Sequence, residues 1–240
     1  MPQADREPCP ACGIYVFKWV DTRRDSNATH TGRLEKAYPG FESGSPGSIL
    51  QPLETLDAMS FYGRIAALIL LAAWSWFLFG YDYRYGEING SFMHNILLPV
   101  HEAGHVLFMP FGEFMMILGG SLFQLALPIT IGVAFIVKQR DNFGAAISAW
   151  WASVSLIDLS PYIYDALHPQ LTLVGGGTGE TRPHDWIYLL STMGQLRNAQ
   201  FWGGAAHACG GLLMIGALTW AGVVLWRSRE HLDQQMKWRD

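Results

Sequence analysis

Leu97–Pro110, LLPVHEAGHVLFMP, decides how this chain is read, because it places two imidazoles and a carboxylate inside an apolar run that begins near Phe92. Within it, His101-Glu102-Ala103-Gly104-His105 is an H-E-x-x-H pattern. On a helix, residues four apart project from one face, so His101 and His105 can hold one metal ion. Glu102 is rotated off that face, where it can take a proton from a water at the metal. Ionisable groups in a segment fit for a bilayer are costly unless compensated. A metal centre is therefore expected, with a polar cluster that merely pins helices together as the alternative.

The surrounding chain supports a membrane setting. Its 240 residues are 50% hydrophobic and only 15% charged, well below the roughly 25% charge of soluble domains. The net charge of −4 gives no reason to expect nucleic acid as a partner. Apolar residues fall into long blocks at about 61–80, 115–137, 144–166 and 202–226, each near the roughly 20 residues a bilayer needs. The motif block, about 92–110, is a fifth. The expected fold is all-α: a polytopic, multi-pass integral membrane helix bundle of about five transmembrane helices, with the lipid bilayer as its first partner. Residues 1–58 read as a polar, mostly irregular N-terminal segment, 59–228 as the transmembrane helical domain and 229–240 as a basic tail. No apolar signal sequence is visible in the first sixty residues. Gly13–Val20 could form one short strand beside the C-x-x-C of Cys9 and Cys12, which supplies only half of a structural zinc site and receives no role.

Polar residues inside the blocks carry the remaining expectations. Gly119-Gly120-Ser121 permits close helix approach, and Gln124 is expected to act as interhelical glue. His94, two turns before His101, is expected to pack rather than bind the same metal, and the same holds for His168 and His207. Catalytic zinc commonly takes three protein ligands and leaves one position open. Position 111 is Phe rather than the third histidine of a metzincin, and no glutamate lies between Glu113 and Glu180. Of the intervening aspartates, Asp141 falls at the far end, while Asp158 and Asp165 approach the motif; a helix that unwinds near Pro161 would let Asp165 fold back. His184-Asp185 is a rival source, although Asp185 is expected rather to cap a short helix starting at Trp186.

H-E-A-G-H in a membrane helix, followed two spans later by D-L-S-P-Y-I-Y-D-A at 158–166, resembles the site-2 protease group of intramembrane zinc metalloproteases, the M50 class. The likeness covers roughly 92–166. It implies that His101 and His105 bind Zn2+, that Glu102 is catalytic, and that Asp165 is the third ligand, with Pro161 at the motif proline. Asp158 stands where that group has asparagine, the spacing is one residue short, and Ala166 replaces a glycine. The implied activity is hydrolysis of a membrane protein or peptide substrate. The alternative is a non-catalytic subunit or scaffold of a membrane protein complex that keeps a degenerate protease fold; a metal-handling membrane protein is a weaker third. Five spans would put the two chain ends on opposite sides. Positive-inside counting would then place the motif end and the N-terminal sixty residues outside, whereas the resemblance implies a site open to the cytoplasm.

Overall fold

The computed structural model describes residues 49–50 and 57–237, with side chains as far as Glu230. The C-x-x-C, the expected strand at 13–20 and the last residues of the basic tail lie outside the described residues. Every regular element among those described is helical: α1 Ala58–Gly80, α2 Phe92–Phe108, α3 Glu113–Ala134, α4 Asn142–Asp165, α5 Asp185–Thr192 and α6 Ala199–Lys237. The chain is a helical membrane bundle.

Three of these helices start where a short polar side chain satisfies a first-turn N–H. Asp57 accepts from Ser60 N, Ser91 from His94 N, and Asp141 from Gly144 N. The aspartate that caps α4 also takes both guanidinium N–H groups of Arg64, at 2.9 and 3.2 Å. That bond ties the start of α1 to the start of α4.

α4 is the central helix, buried along most of its length. Three of its four serines are accommodated because Ser148, Ser153 and Ser160 donate their hydroxyls to carbonyls of their own helix. α6 lies close against it. A Cβ on Gly203 would meet Tyr164 and the Ser160 carbonyl, and one on Gly210 would meet Ile157 and the Ser153 carbonyl. The helix pair α2–α3 crosses tightly at Gly104 and Gly119, each backed by the other's carbonyl oxygen.

Contacts at the two ends of the bundle fix the helix directions. At one end Phe61 of α1 packs with Phe143 of α4 and Leu225 of α6. At the other, Phe79 of α1 stacks on His207 of α6, and Tyr83 meets Tyr164 of α4. α1 and α4 are thus parallel and α6 opposes them. α3 also opposes α4, since Gly132 and Phe135 near its C-terminus lie against Ser148 and Gly144 near the start of α4. The end of α1 and the beginning of α3 therefore lie at the same end, and α2 cannot run the length of the bundle between them. Phe92 stacks on Trp74, well before the end of α1, and the helix then climbs back out to the turn at Met109–Phe111.

Four helices, Ala58–Gly80, Glu113–Gln139, Asn142–Asp165 and Leu196–Glu230, are long and apolar enough to cross a membrane. The expected fifth, the motif segment, is a helix of only 17 residues, about 26 Å long, that enters and leaves at one end. Asp57 and Glu230 consequently lie at the same end, not at opposite ones.

The crossing of α2 and α3 yields a stability prediction. Gly104→Ala should destabilise the protein by about 1–3 kcal/mol, read by thermal unfolding in detergent, because the added methyl meets backbone rather than a movable side chain. Gly63→Ala, where no atom lies within 4 Å of the added Cβ, should leave the midpoint unlowered.

Candidate metal centre

α2 presents His101 and His105 on one face, with ring centroids 4.9 Å apart. Each ring is oriented by its Nδ1. His101 Nδ1 lies 2.9 Å from Gln124 Oε1, and His105 Nδ1 lies 2.9 Å from the Met116 carbonyl oxygen. Gln124 has no freedom to turn its amide, because its Nε2 donates to Asp158 Oδ2 at 2.9 Å. Both histidines therefore face acceptors through Nδ1, so Nδ1 carries the proton in each neutral ring and Nε2 carries the lone pair.

Those two lone pairs point at a third. Asp185 Oδ2 lies 3.1 Å from His101 Nε2 and 3.3 Å from His105 Nε2. Three electron-rich atoms at this spacing repel unless a cation lies among them. The spacing suits a metal: ligand bonds of about 2.0–2.1 Å in a tetrahedral site put donor atoms about 3.3 Å apart. His101, His105 and Asp185 are the group among the described residues whose ligand atoms could hold one ion. Gly120 floors the space, since a Cβ there would lie 2.5 Å from His101 Nε2 and 2.6 Å from His105 Nε2.

Asp185 reaches the histidines because the chain after α4 folds back. Gly175, Gly176 and Gly177 all take positive φ, a run that side chains would strain, and the loop returns to α5. His184, fully buried, caps α5 by accepting from Ile187 N through Nδ1. The expected capping role of Asp185 thus falls to its neighbour, and its carboxylate is left for the histidine pair. The Asp185 N–H donates to the Tyr162 hydroxyl at 3.1 Å, fastening α5 to α4 beside the site.

Asp165, expected as third ligand, is not brought to His101 and His105. α4 stays helical through Pro161, so Asp165 cannot fold back toward the motif. Its Oδ1 accepts from Gln170 N and Leu171 N at 2.8 and 3.1 Å, and its Oδ2 lies 3.6 Å from His184 Nε2. It holds the loop and the cap that deliver Asp185. Asp158 supports the site through Gln124, and His94 Nδ1 lies 2.8 Å from its other oxygen. Asp158, Gln124 and His101 thus form a chain across three helices. His207 is sandwiched between Phe79 and Tyr83, and His168 is exposed.

A cavity of about 920 Å3 opens over the three donors, lined also by Glu102, Tyr162 and the loop from Leu171 to Val174. Glu102 is exposed within it. The volume is that of a ligand site. Compared with protein-family models, curated proteins and solved structures, the chain matches none.

Two substitutions separate the roles of the aspartates. Asp185→Asn should cut zinc retained by purified protein at least tenfold, measured by atomic emission, whereas Asp165→Asn should keep most of it and lower the unfolding midpoint. Gln124→Leu, which leaves His101 and Asp158 without their shared partner, should weaken zinc affinity about 10–100-fold in a competition titration with a chelator. An unchanged affinity would show that the amide does not set the ring.

Proposed function

We propose that this chain is a multi-pass integral membrane zinc metallopeptidase that hydrolyses peptide bonds of membrane-associated substrates. The observation that carries the proposal is the convergence of the lone pairs of His101 Nε2 and His105 Nε2 on Asp185 Oδ2, beside the exposed Glu102. The resemblance to site-2 proteases is compatible with His101, His105 and Glu102, and Asp185 takes the ligand role that the resemblance gave to Asp165.

Zinc, when bound by His101, His105 and Asp185, supplies Lewis acidity toward a scissile carbonyl and an attacking water. Glu102 accepts the proton of that water as its oxygen attacks the carbonyl carbon. When the C–N bond breaks, Glu102 returns the proton to the leaving amine. Tyr162 holds the Asp185 backbone and keeps the carboxylate aimed at the histidines. A substrate segment must enter the cavity extended, because the peptide bonds of a helix are shielded by their own hydrogen bonds. A non-catalytic scaffold would have no use for a second histidine with a fixed tautomer, an opposed carboxylate and an open cavity at the same point.

Glu102→Gln should retain one zinc per chain and lose at least about a hundredfold in zinc-dependent cleavage of denatured casein, used as an unstructured probe. Cleavage at the wild-type rate in that variant would remove Glu102 from the chemistry. A zinc-free wild-type protein would remove the metallopeptidase.

A further inference from the structure

The helix directions assign a compartment to the cavity. The end that carries it includes the loop after α1, the α2–α3 turn, the loop from Leu171 to Pro183, and α5. The Lys/Arg of these connections, with those of the stretch leading into α6, are Arg84, Arg182 and Arg197. The opposite end carries Arg64 at the start of α1, Lys138 and Arg140 between α3 and α4, and Arg227 and Arg229 near the end of α6. Of the nine Lys/Arg among the described residues, six, counting Lys237 at the end of α6, belong to that end and three to the other.

Lys and Arg in short connections stay on the cytoplasmic side of a membrane protein, and acidic residues weigh little in that count. This two-to-one bias orients the bundle, and it opposes the cytoplasmic opening that the resemblance to site-2 proteases implies. With four crossings and a returning α2, no long basic segment has to be exported. Under five spans, the N-terminal residues would have had to cross together with the site.

We infer that the cavity over His101, His105 and Asp185 opens on the extracytoplasmic side, and that its substrates are peptide segments presented there. This rests on the proposed hydrolase only for the word substrate; the sidedness stands on the helix directions and the charges. The returning α2 fits such a site. Its backbone is helical and packed on α3 and α4, which is how a segment that does not cross can lie at membrane depth. Solvent from that side then reaches the donors through the cavity.

The test uses the full chain in intact cells, with Cys9, Cys12 and Cys209 changed to Ser and one new thiol introduced. Glu180→Cys sits on the exposed loop beside the cavity, and Gln139→Cys on the exposed connection at the other end. A membrane-impermeant maleimide should label Glu180→Cys in intact cells to at least ten times the level at Gln139→Cys. Permeabilisation should bring the second up to the first. The reverse pattern would overturn the inference, and so would equal labelling of both positions before permeabilisation. Either result would leave the Glu102→Gln assay untouched, because labelling reads sidedness and cleavage reads chemistry.

Discussion

Two neutral imidazoles whose Nδ1–H groups are already committed have only lone pairs left to offer. Here both offer them to the same carboxylate oxygen, at 3.1 and 3.3 Å. In a low-dielectric interior that arrangement is unfavourable without positive charge at its centre, and protons or a divalent ion can provide it. One proton makes an imidazolium–aspartate pair and leaves the second ring's lone pair unanswered, and a second proton would set two imidazolium rings side by side at a separation of 4.9 Å. One divalent ion would answer all three donors at once, with a fourth position free toward the cavity.

Much of the bundle serves to hold that geometry. The glycine contact between α2 and α3 brings Gly120 under the two rings and Gln124 alongside His101. Gln124 then hands its other end to Asp158 on the central helix, so three helices fix one tautomer. The last donor comes from a different part of the chain, and its placement is built with equal care. Asp165 ties down the loop, His184 caps α5, and Tyr162 receives the Asp185 N–H.

The histidine pair was legible because a spacing of four on a helix leaves the side chains no choice of face. The helical class and the bilayer followed from blocks of apolar residues. What the sequence does not carry is direction: hydropathy measures a segment's length and composition, and α2 is apolar like its neighbours yet returns where it began. The carboxylate that meets the histidine pair was harder for a similar reason. Asp185 lies beyond a glycine-rich loop, and only the path of that loop shows that it folds back over α2. Asp165 carries the motif position, but an unbroken helix through Pro161 keeps it away. Two signals could have pointed to Asp185. His184 can cap α5 by itself, and Tyr162 stands one turn before Ala166, facing the same space.

Zinc K-edge absorption on the purified full-length protein tests the central claim most directly. The account predicts one zinc per chain in a four-coordinate shell with two imidazole nitrogens and carboxylate oxygen at about 2.0–2.1 Å. A spectrum with fewer than two imidazoles, or with sulfur in the first shell, would contradict it.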